Sequence, residues 1–248
     1  MIRREADPAL DRSVPDQEVY WNRWHSSHRQ DADPGHSEFL RQFLAALPKA
    51  DTEGSEADHR RAGAHEATRD GLRTVLELGC GQGHDAAALA AAGCAVDATD
   101  FALNALLRAR EALPGEMADR VRFRHVDLRH PLPFPDRRYH GVYAYLSLHY
   151  FDDATTRRIF AELARVLCPG GTLAFAVKSV NDRLYGRGHR LGPDIYCLDQ
   201  HVRHFFRAEY VHELLTGWGH VSIAERAGAY VGARGVDSFL TVIARPPE

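Results

Sequence analysis

The stretch Val75-Leu76-Glu77-Leu78-Gly79-Cys80-Gly81-Gln82-Gly83-His84-Asp85 decides the fold. A short apolar run carries one carboxylate and then meets glycine at every second position. An alanine-rich segment, Asp85 to Ala92, follows with helical composition. Strand, tight turn and helix in this order open a βαβ unit. The glycines permit a sharp turn and a positive φ, and they remove Cβ atoms that would hold a ligand off the backbone. The helix that follows directs free N–H groups towards a polar or anionic ligand.

Outward from this turn the pattern repeats. Gly93 leads into a strand at Cys94 to Ala98, which ends in Thr99-Asp100-Phe101. A helix over Ala102 to Ala112 stops at Pro114-Gly115. A third strand, Val121 to Val126, runs into Asp127-Leu128; a turn-rich loop over Pro131 to Asp136 precedes a fourth strand at Gly141 to Leu146. A helix over Asp153 to Leu167 has Asp152 or Asp153 as N-cap, and Pro169-Gly170-Gly171 turns into a fifth strand, Thr172 to Val177. Strict alternation of strands and helices implies an α/β fold with a parallel sheet and helices on both faces. A helix at Ala208 to Thr216 and two strands at His220 to Ala224 and Ser238 to Ala244 close the chain as an antiparallel hairpin.

The segments before the turn differ. Residues Met1 to Asp16 are charged and read as a loose arm. Gln17 to Arg29, with Tyr20, Trp21 and Trp24, reads as a short aromatic helix that either lids a pocket or packs on the core. His36 to Leu47 places Phe39, Leu40, Phe43, Leu44 and Leu47 at helical spacing, ended by Pro48. The polar stretch from Lys49 to Gly71 reads as a linker. The expected organisation is a helical arm or lid over 1–48, a linker over 49–73 and a catalytic domain over 74–248. Within that domain, 180–206 is a long substrate-side insertion, rich in Gly, Arg and His, read as a functional loop.

Composition excludes several classes. A net charge of −3 gives no general nucleic-acid or anionic-membrane signature. Cys80, Cys94, Cys168 and Cys197 form no C-x-x-C pair, so neither a zinc site nor a disulfide framework is expected. No apolar run approaches the length of a membrane span, and the first residues carry no signal-peptide core. The expectation is a cytoplasmic protein without metal.

Two features sharpen the turn. His84 stands where a dinucleotide fingerprint has its third glycine, which disfavours a nicotinamide or flavin cofactor. Acidic residues recur at strand ends, Glu77, Asp100 and Asp127, where such sheets bind ligands. These carboxylates suit hydroxyls, amino groups and positive charge.

With LELGCGQGHD, the DATD strand end, Val126-Asp127-Leu128, PLPF and LCPGGTLAF, the chain resembles the class I S-adenosylmethionine-dependent methyltransferases over Thr74 to Val177. Its details look most like the small-molecule branch of tellurite-resistance and thiol methyltransferases. The resemblance implies a Rossmann-like, mostly parallel seven-stranded sheet with an antiparallel last strand. It implies S-adenosylmethionine as methyl donor and S-adenosylhomocysteine as product. Glu77 would support the turn or meet the methionine amino end, and Gly79, Cys80, Gly81, Gly83, His84 and Asp85 would wrap the methionine and ribose. Asp100 would accept both ribose hydroxyls, with Phe101 on adenine, Asp127 at the adenine amino group and Leu128 against the ring. Tyr145 and Leu146 would face the methionine tail. One departure is His140, at a mainly structural position where the family usually has aspartate.

Methyl transfer needs positioning above all, and a base only where the acceptor must lose a proton. His149 is the candidate base, with Tyr150 beside it. Tyr20, Trp24, Lys178, Tyr185, His189 and His204 are the candidate acceptor-side residues, and Ser179, His201 and Arg203 join them in the polar wall expected of the insertion. A small-molecule acceptor is the leading reading; methylation of a protein or RNA, and non-catalytic binding of the cofactor, are the alternatives.

Overall fold

A computed structural model describes residues 17–28, 34–49, 71–228 and 237–246. The arm over 1–16 and nearly all of the linker, residues 50–70, lie outside the described residues. The elements run α1 (Gln17–Ser27), α2 (Pro34–Ala46), β1 (Arg73–Leu78), α3 (His84–Ala91), β2 (Cys94–Asp100), α4 (Leu103–Ala112), β3 (Val121–His125), β4 (Tyr139–Tyr145), α5 (Asp153–Val166) and β5 (Leu167–Lys178). Then come β6 (His189–Gly192), β7 (Ile195–Leu198), β8 (His201–His204), α6 (Ala208–Leu214), β9 (Val221–Gly228) and β10 (Asp237–Ala244).

The main sheet has seven strands in the order β3-β2-β1-β4-β5-β10-β9. Pairing is parallel from β3 through β5, while β10 runs antiparallel to both β5 and β9. The expected antiparallel last strand is therefore β10, inserted between β5 and β9.

Strand alternation sorts the core onto two faces. From β4 and β5, Val142, Ala144, Leu173, Phe175 and Val177 point to one face, with Leu76 and Leu78 of β1. They meet Ile159, Phe160, Leu163 and Val166 of α5, residues at helical spacing behind the Asp152 N-cap. Val75, Tyr143, Ala174 and Ala176 point to the other face, under α2, α3 and α4. Phe43 of α2 and Leu47 just after it sit directly over Gly141, where any side chain would collide with them. Glycine there lets α2 lie flush on β4. His140 keeps a structural role: its Nδ1 accepts from the Thr74 amide at 3.1 Å, tying β4 to β1.

The insertion is not the irregular loop expected of it. Residues 189–204 form a separate three-stranded antiparallel sheet, β6-β7-β8. Strands of four residues are too short to carry much periodic signal, and β6 is wholly exposed or half-buried, which hides them in the sequence. This small sheet is fastened to the main one. The His204 amide donates to the His149 carbonyl at 2.9 Å, and the Phe206 amide donates to the Lys178 carbonyl at 2.7 Å.

Strand order reverses between β1 and β4, with β2 and β3 laid to one side and β5 to the other. The carboxyl ends of strands flanking such a switch point splay apart and leave a crevice.

Candidate active site

A cavity of about 910 Å³, its mouth included, opens at that crevice. Its floor is Gly79 and Gly81 after β1, Thr99, Asp100 and Phe101 at the end of β2, and Val126 to Arg129 after β3. Its far wall is Tyr145, Leu146, Ser147, Tyr150 and Phe151 after β4. Its roof is Gln17, Trp21 and His25, one i, i+4, i+8 stripe of α1.

The floor is built by backbone. Gly79 adopts φ +69°, and a Cβ there would run into Ser147 Cβ. Ser147 in turn donates its hydroxyl to the Leu78 carbonyl at 2.6 Å, holding the β4 end against the turn. Gly81 donates its amide to Asp100 Oδ2 at 2.9 Å, and Ala102 donates to Oδ1 at 2.8 Å. The Asp100 carboxylate is thus fixed from two sides while facing the cavity. Burial pushes it above the ordinary carboxylate range, partly opposed by those N–H groups. Leu146 lines the wall at φ +54°, a conformation that costs a side-chain-bearing residue energy and recurs at binding sites.

Eight of the expected cofactor residues come together here: Gly79, Gly81, Asp100, Phe101, Asp127, Leu128, Tyr145 and Leu146. Five do not line the cavity. Glu77 is buried behind the turn, and its Oε2 has no hydrogen-bond partner among the described residues. Burial raises its carboxyl well above the usual range, and Asp85 and Asp100 add to the shift. Cys80 is buried beside it. Gly83 faces away, towards α4; a Cβ there would lie 2.9 Å from Ala109 Cβ, so this glycine serves helix packing. His84 is exposed and Asp85 half-buried on the first turn of α3.

S-adenosylmethionine fits this arrangement. The glycine floor admits backbone contact, and Asp100 keeps one acceptor lone pair per oxygen for a diol. The orphaned Glu77 oxygen is suited to a group with N–H donors. Asp127 fits less simply. Both its oxygens are taken by Arg129, through Nε at 3.0 and 2.9 Å and through a terminal nitrogen at 2.7 Å. Burial raises the Asp127 carboxyl, but the Arg129 contacts outweigh this and hold it below the usual range. An adenine amino group would have to share Asp127 with this arginine.

The acceptor-side expectations divide as well. Tyr150 lines the cavity, whereas His149 is fully buried behind it, with ring centroids 4.2 Å apart. Neither ring nitrogen of His149 has a partner among the described residues. Burial drives its pKa well below 6.5, and Lys178 and Arg203 drive it further. A histidine so placed does not reach the cavity and takes up protons poorly, which disfavours the general-base role. On α1, Trp21 rather than Trp24 faces the cavity; Trp24 stacks on His28 at 5.0 Å. Tyr20 packs on His201 at 4.6 Å, outside the lining. His201 also stacks on Tyr150 at 4.9 Å, and Arg203 donates to its Nδ1 at 2.8 Å.

Lys178 is buried and paired with Asp182 at 2.8 Å, a structural bridge away from the cavity. Ser179 is likewise tied up, donating to Glu225 at 2.6 Å. Tyr185 donates to Asp194 at 2.6 Å within the small sheet's own cluster. His189 is exposed, and His204 is buried with Nδ1 3.2 Å from the Phe151 carbonyl. The polar wall expected from the insertion therefore braces Tyr150 and Phe151 from behind. Sequence reasoning missed Gln17 and His25 as lining residues. Their signal was present in the four-residue spacing through Trp21.

Helix α1 is anchored over the cavity by polar contacts. Asn104 of α4 donates its amide to Asn22 Oδ1 at 3.0 Å and its side chain to Ser26 Oγ at 2.9 Å. Gln82 donates to the His28 carbonyl at 2.6 Å, and Gln17 donates to the Gln200 carbonyl at 2.9 Å. The helix thus packs on α4 through one side and lines the cavity with another.

Comparison with known proteins converges on the same core. Residues 75–171 match a family described as a methyltransferase domain. A methyltransferase of Streptomyces halstedii, GfsG, is 38% identical over 104 residues, covering 41% of this chain and 36% of that protein. The demethylmenaquinone methyltransferase of Clavibacter sepedonicus is 39% identical over 99 residues, covering 40% of this chain and 38% of its own length. The matched stretch thus spans little more than a third of these relatives. Among solved structures, a methyltransferase from Methanosarcina mazei superposes with TM-score 0.61 at 18% identity, covering 79% of this chain and all of that one. The N-methyltransferase NodS of Bradyrhizobium japonicum, solved with S-adenosylhomocysteine, covers 97% of both chains with TM-score 0.58 at 19% identity. At such identities these structures speak to fold alone. Residues 75–171 match a methyltransferase domain, and the chain shares the fold of the solved methyltransferase structures.

Proposed function

We propose that this chain transfers the methyl group of S-adenosylmethionine to a small-molecule acceptor by direct in-line displacement. The observation that carries the reading is Asp100: a carboxylate at the end of β2, fixed by the Gly81 and Ala102 amides, facing a cavity at the switch point. Bound S-adenosylmethionine would supply an electrophilic methyl group on a sulfonium. Asp100 would accept from the ribose hydroxyls, Gly79 and Gly81 would let the methionine part lie on backbone, and Glu77 would answer its amino group. Phe101 and Leu128 would cover the adenine.

The remaining residues align and dry the site. Trp21 and His25 close it from above, and Leu146, Tyr150 and Phe151 close the side after β4. Excluding water protects a reactive methyl donor and fixes the line of attack. With His149 sealed behind Tyr150, the described lining offers the acceptor no strong base, so the reading favours acceptors that attack without one or ionise readily. A small molecule is supported by the names of the relatives, one acting on demethylmenaquinone and another on a 27-O-demethylrifamycin. The near-neutral charge balance supports an acceptor other than nucleic acid. None of the described helices is long and apolar enough to cross a membrane. A cytoplasmic setting belongs to the same proposal.

Calorimetric titration with S-adenosylhomocysteine and with NADH tests the donor, and release of label from methyl-labelled S-adenosylmethionine across an acceptor panel tests transfer. Binding of the homocysteine product and label transfer are expected. A response to NADH alone sinks the reading, and tight product binding without transfer to any acceptor favours the non-catalytic alternative.

A further inference from the structure

Above its floor, the cavity carries an aromatic pair in its roof and wall. Trp21 and Tyr150 meet there edge to face, ring centroids 5.4 Å apart and planes at 64°. They form a two-sided aromatic corner, with Phe151 and Leu146 beside it. The corner is rigid, because Tyr150 is backed by His149 and by His201, and His201 also packs on Trp21 at 5.0 Å.

Beside this pair the roof carries a polar ring, His25. His25 lines the cavity at 3% exposure, and its Nδ1 has no hydrogen-bond partner among the described residues. A buried unpaired ring nitrogen costs free energy until a ligand answers it. Its imidazole is held neutral, with the pKa lowered to about 4 by burial and by Arg108 and His28. The charged side chains of the lining are Asp100, Asp127 and Arg129. The last two neutralise each other, and Asp100 is committed to the floor. The corner itself presents no charge, and an unpaired charge buried there would be costly.

We propose that the Trp21–Tyr150 corner and His25 form the acceptor subsite, built for an uncharged, planar aromatic molecule with a hydroxyl that bonds the His25 ring nitrogen. The proposal rests on the methyltransferase reading. The ring of the acceptor lies against one wall of the corner with its edge towards the other, the geometry aromatic pairs prefer. One hydrogen bond then sets its rotation.

The test is calorimetric titration of the protein saturated with S-adenosylhomocysteine, using 2-naphthol, 2-naphthoate and cyclohexanol as probes. We expect 2-naphthol to bind at least 10-fold more tightly than either of the others. Trp21→Leu should weaken 2-naphthol at least 10-fold, Trp21→Phe should restore most of the loss, and His25→Phe should weaken it 3-fold or more. S-adenosylhomocysteine affinity should stay within 3-fold in all three variants. Equal affinity for the three probes overturns the proposal, as does unchanged 2-naphthol binding in Trp21→Leu. Parallel loss of the homocysteine product in the Trp21 and His25 variants also overturns it, since α1 would then be part of the donor site. Failure of S-adenosylhomocysteine to bind the unaltered protein is a different result and removes the methyltransferase reading itself.

Discussion

Substituting alanine at Gly79 and at Gly93 separates two costs that usually arrive together. Both glycines have positive φ, +69° and +83°. At Gly93 an added Cβ meets nothing within 4 Å, whereas at Gly79 it overlaps Ser147 Cβ. Placing a side chain in the left-handed region costs about 1–2 kcal/mol. Overpacking adds about 1–3 kcal/mol when neighbours are held in place, and Ser147 is held by its bond to the Leu78 carbonyl. Gly93→Ala should therefore lose about 1–2 kcal/mol and Gly79→Ala about 2–5 kcal/mol, combining the two effects. At roughly 2–4 °C per kcal/mol for a chain of this size, the two melting temperatures should fall by distinguishable amounts. Thermal unfolding, with calorimetric titration of S-adenosylhomocysteine, reads both consequences. Affinity should fall in Gly79→Ala and hold in Gly93→Ala. The double variant Gly79→Ala/Ser147→Gly removes the colliding atom and should regain part of the lost stability, a coupling that independent sites do not show. Equal losses at the two glycines, with no recovery in the double variant, would refute the claim that the β4 end is clamped onto the turn.

Three other outcomes are expected. Asp100→Asn leaves an amide nitrogen facing one of the two backbone donors; product affinity should fall about 10- to 150-fold, the worth of a charge-assisted hydrogen bond of about 1.5–3 kcal/mol, and calorimetry showing less than a twofold change removes the ribose assignment. Lys178→Met strands Asp182 in the core and should cost about 3–5 kcal/mol in urea unfolding while product affinity holds; lost affinity without lost stability would return Lys178 to the site. The fold favours neutral His25 and His201, whose pKa values are lowered by burial to about 4 and about 3, helped by Arg108 and His28 for the first and by Arg203 and Lys178 for the second. A lowered histidine pKa means that the open state binds protons first, so the stabilisation is present above about pH 6.5 and is lost as pH falls towards these values. For His25 alone the effect approaches about 3 kcal/mol, enough to loosen α1 before the sheet unfolds. Tryptophan emission should shift to the red between about pH 6 and 4, with far-ultraviolet dichroism retained; no shift down to pH 4 counts against the packing of these rings.

The floor of the cavity was legible in the sequence because it is written locally. A strand, a glycine turn and a helix follow one another within a dozen residues, and Asp100 and Asp127 stand at the ends of strands whose periodicity is clear. The final hairpin was legible for the same reason. Gly83 misled because turn glycines look alike in sequence, and only the close approach of α4 separates one that packs a helix from one that floors a cavity. His149 misled because position after β4 says nothing of side-chain direction; the ring turns inward behind Tyr150. The small sheet was hidden by short strands of mixed polarity. In α1, aromatic residues occupy adjacent positions, so composition marked the helix as important without telling Trp21 from Trp24.

The residues matched to the methyltransferase domain end at 171. The roof formed by α1 comes from before that stretch, and the brace formed by β8 comes from after it. The two are joined directly, through Gln17 on Gln200 and Tyr20 on His201. The roof and its brace thus lie on either side of the matched tract, while the floor and the wall after β4 lie within it. A change at Gln17 or Tyr20 must therefore be met by one at Gln200 or His201, about 180 residues further along the chain.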